Sequence, residues 1–147
     1  MAAILGNGVD TFVSNLKLKG NSVKTGTFVE PDFKNGTASL PVTQDAADKG
    51  DLYVVLNEND TVLEEMVTDF DYEVKEGTAL KLKKMQSGEV LITTEFENTV
   101  QKGDVVAPTA KGVLDTVGET RTPKIVFTVK DKKMMWGVPV IYAIRNE

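Results

Sequence analysis

The sequence is divided into short runs of β-prone residues by turn-forming residues, and this pattern limits the fold more than any other feature. From residue 49 onward such runs recur roughly every 10 to 15 residues, and no segment keeps the 3.6-residue period of a long helix. The runs predict strands at residues 52–56, 90–94, 125–129 and 140–144. We therefore predict a mainly β fold, with a small β-barrel or β-sandwich domain over residues 49–147.

Two hairpins are predicted within this domain. The first joins residues 52–56 to residues 61–63 through a polar turn. The second joins residues 80–83 to residues 90–94 through a Gly-containing turn at residues 86–88. Both pairings predict neighbouring antiparallel strands, because a short turn leaves no room for a crossover.

The chain is acidic, and its closest approach to a basic patch has a simpler interpretation. The formal net charge is −5, so the overall field disfavours binding to nucleic acid or to an anionic membrane. Lys81 and Lys83 alternate with Leu80 and Leu82 and are followed by Lys84. This alternation is typical of a strand with one solvent face, so we predict exposed lysines there and no nucleic-acid site.

A short motif occurs twice before an apolar run. Lys49-Gly50-Asp51 and Lys102-Gly103-Asp104 each lead into a predicted strand. The repeat indicates either a duplicated substructure or one turn geometry used twice. We favour the second interpretation, in which Gly adopts a backbone angle that side chains resist.

Residues 1–48 differ from the rest and are predicted to form an extended N-terminal arm. They are rich in Gly, Asn, Thr, Ser and Asp, with scattered apolar positions. Apolar residues spaced by three and four positions predict one short amphipathic helix at residues 10–17, and residues 27–29 are a strand candidate. Two roles for the arm remain open, since it either wraps over its own domain or reaches another subunit.

The absence of His and Cys excludes most familiar active sites and metal centres. Ser/His/Asp and Cys/His nucleophilic systems, zinc sites with N or S ligands, and disulfides all need these residues. We therefore expect no enzyme and no cofactor. The N-terminus shows no secretion-signal pattern, and the longest nearly apolar run, residues 138–144, is too short to span a bilayer. We expect a chain that is made in the cytoplasm and does not enter a membrane.

Carboxylates in residues 58–71 are the best candidates for binding a hard cation. Oxygen ligands with net negative charge suit calcium or magnesium. Their spacing matches no calcium-loop motif, so we favour a solvated acidic edge and predict no metal site. The carboxylates are Glu58, Asp60, Glu64, Glu65, Asp69 and Asp71.

Met134, Met135 and Trp136 place three large apolar side chains together between lysines and a glycine. An exposed cluster of this kind would be a contact site for a partner. In a small β domain with one Trp, the commoner role is to close the core, and we favour that interpretation.

The sequence resembles those of the small capsid decoration, or cement, proteins of tailed bacteriophages. The resemblance rests on the polar N-terminal segment, on the acidic β-rich body, and on strand openings such as residues 102–107 followed by residues 111–114. It implies a structural protein without catalytic residues on the outer surface of the virion capsid. Its partners would be the major capsid protein and neighbouring copies of itself, with a homotrimer as one arrangement.

The resemblance also suggests where partners would bind. An arm can pair with an exposed strand of a neighbour through main-chain hydrogen bonds, so its apolar residues are candidate contacts. Alternatives are another phage virion component, such as a head fibre base or tail protein, and a carbohydrate-binding β-sandwich. The candidate partner-binding residues are Phe12, Val13, Leu16, Leu18, Phe28, Met134, Met135 and Trp136.

Overall fold

The structure, a computed structural model, describes residues 2–5, 12–57, 72–135 and 137–146. Of these residues, 48% lie in strands and 5% in a helix, which confirms the predicted mainly β class. The elements are β1 (Ala2–Leu5), β2 (Phe12–Leu18), β3 (Val23–Lys24), β4 (Phe28–Asp32), β5 (Thr37–Ser39), α1 (Gln44–Lys49), β6 (Tyr53–Val55), β7 (Glu73–Val74), β8 (Ala79–Lys83), β9 (Val90–Thr93), β10 (Val105–Pro108), β11 (Leu114–Thr116), β12 (Phe127–Met135) and β13 (Val138–Arg145).

Two β assemblies make up the described part of the chain. Five strands close a barrel in the order β2-β5-β4-β6-β8, in which β2 and β5 pair in parallel and the other neighbours are antiparallel. Six strands form an antiparallel sheet in the order β1-β9-β13-β12-β10-β11. Strands β3 and β7 form a separate two-stranded ladder. The barrel prediction is confirmed, and the large sheet is an addition to it.

The barrel and the sheet share a wall, because β6 and the start of β4 are buried on both faces. Val29 and Val55 belong to the apolar cluster inside the barrel, whereas Phe28 and Val54 belong to the cluster under the sheet. The rings of Phe28 and Phe127 meet edge to face at 5.7 Å between centroids. Burial on both faces explains why β6 and the first two residues of β4, Phe28 and Val29, are consecutive apolar residues rather than alternating ones.

The predicted helix at residues 10–17 is wrong, because residues 12–18 form strand β2 of the barrel. The ladder between β2 and β8 shifts register between Val13 and Leu16, and the two residues between them are exposed. Leu16 and Leu18 then point into the barrel, with Val13 packed against the same cluster. A bulge therefore produced the three-residue spacing that resembled a helical period.

The division of the chain near residue 48 is also corrected. Three of the five barrel strands, β2, β4 and β5, come from the segment predicted to be an arm. They close the barrel together with β6 and β8, so residues 12–48 belong to the same folded body as the residues that follow. The strand predicted at residues 27–29 is confirmed as the start of β4.

The second predicted hairpin is wrong, although its turn exists. Strand β8 pairs with β2 and β6 in the barrel, whereas β9 pairs with β1 and β13 in the sheet. The turn near Gly88 therefore carries the chain from one assembly to the other. The first predicted hairpin has β6 as its first strand, and its return at residues 61–63 lies outside the described residues.

The repeated Lys-Gly-Asp motif has two different geometries. Gly103 has a φ of 91°, as expected for a turn that favours glycine. Gly50 instead ends helix α1 with a φ of −75°, and its N–H donates to the carbonyl of Ala46 at 2.9 Å. The predicted shared turn is therefore wrong, because the first copy of the motif follows a helix and the second follows a loop.

Candidate functional site

The distal part of the β12–β13 hairpin extends beyond its neighbours in the sheet. Strand β10 pairs with β12 only at Phe127 and Thr128, and β9 pairs with β13 only from Ile141 to Ile144. Within the described part of the chain, the ladder beyond those positions joins only β12 and β13, ending with Met135 opposite Val138. We call residues 130–135 and 138–140 the ribbon.

The side chain of Lys132 ties the base of the ribbon to the body. Lys132 donates to the carbonyl of Val100 at 2.8 Å and to that of Asn98 at 3.4 Å. Its ammonium lies 5.6 Å from the centroid of the Phe96 ring, within the range of a cation–π contact. These contacts hold the base of the ribbon against the loop that follows β9.

The edges of the ribbon are poorly suited to pairing with another strand. A register shift between Val129 and Asp131 interrupts the β12 ladder, and the Asp131 carboxylate accepts the N–H of Lys132 at 2.9 Å. Pro139 has no N–H to donate, so β13 lacks one backbone donor in the same region. Bulges, lysines and prolines are the usual means of protecting edge strands, so any contact made by the ribbon depends on its side chains.

The tip of the ribbon presents an apolar side chain to solvent. Met134 is 66% exposed and lies opposite Pro139. Two positions from this pair, Lys132 lies opposite Ile141, which is a core residue. Residues two positions apart on a strand lie on the same face, so Met134 lies on the core-facing side of the ladder, beyond the end of the sheet. Core closure by Met134 is therefore wrong, and its exposure agrees with the contact-site interpretation.

The other two members of that apolar group differ from Met134. Met135 is half-buried at the end of β12. Trp136 lies outside the described residues. The candidate site therefore rests on Met134 and on the charges beside it.

The ribbon is basic, although the chain is acidic. Residues 130–135 contain three lysines and one aspartate, a net charge of +2, so the chain total of −5 leaves −7 on all other residues. The Lys133 ammonium lies 3.5 Å from the Asp131 carboxylate and 5.2 Å from the centroid of the Tyr142 ring. Its side chain is 57% exposed, so it stays accessible to a partner.

Three candidate residues from the predicted arm are core residues. Leu16 and Leu18 are each 2% exposed, and Phe28 is fully buried. The prediction that they bind a partner is wrong, because their surface is already covered by the barrel and the sheet. The spacing of Leu16 and Leu18 was the available signal, since alternation of this kind is typical of a strand that faces a core.

The remaining two arm candidates lie at the barrel surface. Phe12 is 43% exposed, with the ammonium of Lys81 4.9 Å from its ring centroid and that of Lys83 at 5.7 Å. Val13 is half-buried against the cluster inside the barrel. Phe12 therefore keeps some accessible surface, whereas Val13 is mainly a packing residue.

The lysines of β8 do not share one solvent face as predicted. Lys81 is exposed, but Lys83 is 2% exposed and its ammonium lies 3.1 Å from the Glu89 carboxylate. Lys83 lies opposite Val54, on the side of the barrel wall that the sheet covers. The prediction of an exposed Lys83 is wrong because the sheet packs over that end of the strand.

Sequence reasoning missed an exposed aromatic residue in the β4–β5 turn. Phe33 is 61% exposed, and its ring lies edge to face with that of Tyr53, with 6.2 Å between centroids. An aromatic residue in a turn between Pro31 and Gly36 was the available signal, because such turns are usually polar.

The carboxylates considered for a cation site, in residues 58–71, lie outside the described residues. Among the residues that are described, no group of three or more acidic side chains is arranged to hold a metal ion. A search of the same residues found no helix with the length and hydrophobicity needed to cross a membrane.

Comparisons of the chain with protein-family models, with curated proteins and with solved structures found no match.

Proposed function

We propose that the chain is a structural virion protein, a capsid decoration protein that binds the outside of a tailed-phage head and stabilises its lattice. The observation that carries the proposal is the ribbon, which presents Met134 and Lys133 at the end of a hairpin anchored in a sheet. A contact on regular β structure loses little conformational freedom on binding, so a small surface can bind usefully. The resemblance of the sequence to capsid decoration proteins supports the same role.

The architecture of the body supports a mechanical role. Barrel and sheet share the wall formed by β4 and β6, so neither can move without disturbing both apolar clusters. A decoration protein that reinforces a shell has to transmit force between its contacts without deforming. Many copies on a symmetric lattice then convert a weak individual contact into firm attachment.

Co-sedimentation tests this function. The chain is mixed with expanded empty capsids assembled from the major capsid protein of the genome that encodes it. We expect the wild-type protein to sediment with the capsids and the Met134→Asp variant to stay in the supernatant. Leu5→Ser is the matched control, because Leu5 is 57% exposed and lies in a different strand, β1. Wild-type protein that stays in the supernatant at every ratio would contradict the proposal.

A glycan array separates the carbohydrate-binding alternative from this one. The decoration role predicts no glycan binding by the wild-type chain. Glycan binding without capsid binding would favour the alternative.

A further inference from the structure

The turn between β4 and β5 contains a chemically reactive pair, Asn35 followed by Gly36. In the spontaneous deamidation of asparagine, the nucleophile is the backbone nitrogen of the next residue, and glycine hinders it least because it has no side chain. Asn35 is exposed, and among the described residues no atom beyond the chain neighbours lies within 4 Å of the position of a Gly36 Cβ. Water therefore reaches this site.

Asp32 holds the pair with three hydrogen bonds. Its carboxylate accepts the backbone N–H of Asn35 at 3.1 Å and the side-chain Nδ2 of Asn35 at 2.7 Å. Its main-chain carbonyl accepts the N–H of Gly36 at 2.9 Å. The bond from the Asn35 side chain, followed by that from its backbone, lowers the pKa of Asp32 below 3.8, so the acceptor is ionised at neutral pH. We call these three hydrogen bonds the Asp32 clamp.

The clamp opposes deamidation at both reacting groups. Ring closure requires the Gly36 nitrogen to lose its proton and to reach Cγ of Asn35. An N–H that donates to a carbonyl is less available for deprotonation, and an amide that donates to a carboxylate is a poorer electrophile. Hydrogen bonds to an ionised acceptor are among the stronger ones in proteins. The reaction should therefore follow local opening of the clamp.

We propose that Asn35 is a site of spontaneous deamidation whose rate is set by the Asp32 clamp. The Gly36 nitrogen forms a bond to Cγ of Asn35, and the bond from Cγ to Nδ2 breaks. Nδ2 leaves as ammonia, with the proton that the Gly36 nitrogen gave up, and a cyclic imide remains. Water then opens the imide at either carbonyl, which gives aspartate or isoaspartate. No oxidant or reductant takes part.

The product cannot re-form the clamp. The new carboxylate has no N–H to donate to the Asp32 carboxylate, and the two negative charges repel each other. Isoaspartate also adds a methylene to the main chain of a turn whose ends pair Asp32 with Thr37. The modification is therefore a one-way loosening of the turn that holds Phe33 beside Tyr53. This inference does not rest on the capsid-binding role.

Peptide mapping by tandem mass spectrometry tests the proposal. Every protein carries Asn7→Gln, because Asn7-Gly8 is the other Asn-Gly step in the chain. The folded proteins are incubated at neutral pH and physiological temperature. We expect Asp32→Ala to deamidate at Asn35 about tenfold faster than its parent, with both aspartate and isoaspartate as products. Glu30→Ala is the matched control, because Glu30 is an exposed carboxylate of the same strand, and it should react like the parent.

Unfolding separates the clamp from the local sequence. In urea that unfolds the chain, the clamp does not form, so Asp32→Ala and its parent should deamidate at Asn35 at the same rate. Circular dichroism checks that each variant is folded before the native incubation. Asp32→Asn keeps the side-chain shape and should react at an intermediate rate. Equal rates in the folded proteins would overturn the proposal, as would an equally large difference in urea. Neither measurement uses capsids, so the outcome is independent of the capsid-binding test.

A mimic of the product tests the loosening of the turn. Asn35→Asp should melt at a lower temperature than the parent, because two carboxylates then face each other. Adding Asp32→Asn restores a donor and an acceptor with their places exchanged, and it should recover at least part of the loss. An Asn35→Asp protein that melts like the parent would contradict the loosening.

Discussion

At the scale of single residues, the most informative feature is a charged pair buried between the barrel and the sheet. The side chains of Lys83 and Glu89 are each 3% exposed, and the Glu89 carboxylate also accepts the N–H of Gln86 at 2.6 Å. Lys83 ends β8 in the barrel, and Glu89 directly precedes β9 in the sheet. The pair therefore fixes the crossing between the two assemblies, at the cost of removing two charges from water.

Breaking this pair should destabilise the protein strongly. Lys83→Met leaves the Glu89 carboxylate buried without its counter-ion, so we expect the free energy of unfolding to fall by about 3–5 kcal/mol. Urea denaturation measures the change. Lys49→Met is the control, because the Lys49–Asp45 pair is more than three-quarters exposed and should change stability by less than about 1 kcal/mol. A loss of less than about 1 kcal/mol for Lys83→Met would contradict the expectation.

A second residue-scale prediction concerns acid stability. The Lys124 ammonium lies 2.6 Å from the Asp51 carboxylate and lowers the pKa of Asp51 below its ordinary value of 3.8, while partial burial opposes this effect. The stabilisation is present above the unfolded pKa and is lost as the pH falls through the lower, folded pKa. Asp51→Asn should therefore melt at a lower temperature than the wild type at pH 7, with the difference disappearing in strongly acidic solution. Lys124→Met should remove the same pH-dependent part of the stability. A difference that persists unchanged in acid would contradict the assignment.

At the scale of elements, the N-terminal strands are structural parts of the barrel. Strand β2 pairs with β8 on one side and with β5 on the other, so it closes the barrel between these two strands. Strand β1, in contrast, lies at one edge of the sheet and pairs only with β9 there. The two N-terminal strands should therefore differ sharply in what their removal does.

Deletion of residues 1–45 should unfold the protein. It removes β2, β4 and β5, which leaves two of the five barrel strands and exposes both apolar clusters. We expect the loss of a cooperative thermal transition in circular dichroism. Deletion of residues 1–5 removes only the edge strand β1 and should leave a cooperative transition at a lower temperature. A cooperatively folded fragment beginning at residue 46 would show that the N-terminal segment is an arm after all.

At the scale of the whole molecule, barrel and sheet also meet at a glycine. The Phe28 N–H of the barrel donates to the carbonyl of Gly112, in the loop between β10 and β11 of the sheet, at 2.8 Å. Gly112 has a φ of 79°, and a Cβ there would lie 2.4 Å from Thr27 Cγ2 and 2.6 Å from the Phe28 carbonyl oxygen. The close approach of the two assemblies therefore requires glycine at this position.

Gly112→Ala should separate crowding from backbone strain when it is compared with Gly118→Ala. Gly118 has a similar φ of 70° but open space around its Cβ position. We expect a loss of about 1 kcal/mol for Gly118→Ala and about 2–4 kcal/mol for Gly112→Ala, measured by urea denaturation. Equal losses would show that the junction does not depend on the missing side chain.

The sequence by itself determined the class of the fold and many of its strands. Apolar runs bounded by turn residues locate β6, β9, β12 and β13, because β propensity and turn chemistry are local properties. The continuous apolar run at residues 52–56 is also typical of a strand that is buried on both faces. The apolar group predicted as a contact candidate includes Met134 at the tip of the ribbon, although the exposure of Met134 did not follow from composition.

Tertiary structure decided which strands pair and which side chains stay exposed. The bulge in β2 gave its apolar residues a spacing that is typical of a helix. The turn near Gly88 joins the barrel to the sheet instead of joining two paired strands. Lys83 is buried only because the sheet covers that end of β8, whereas Met134 is exposed only because β12 and β13 extend beyond their neighbours. Strand pairing and the covering of one layer by another are long-range interactions between segments distant in the chain, so a local pattern does not determine them.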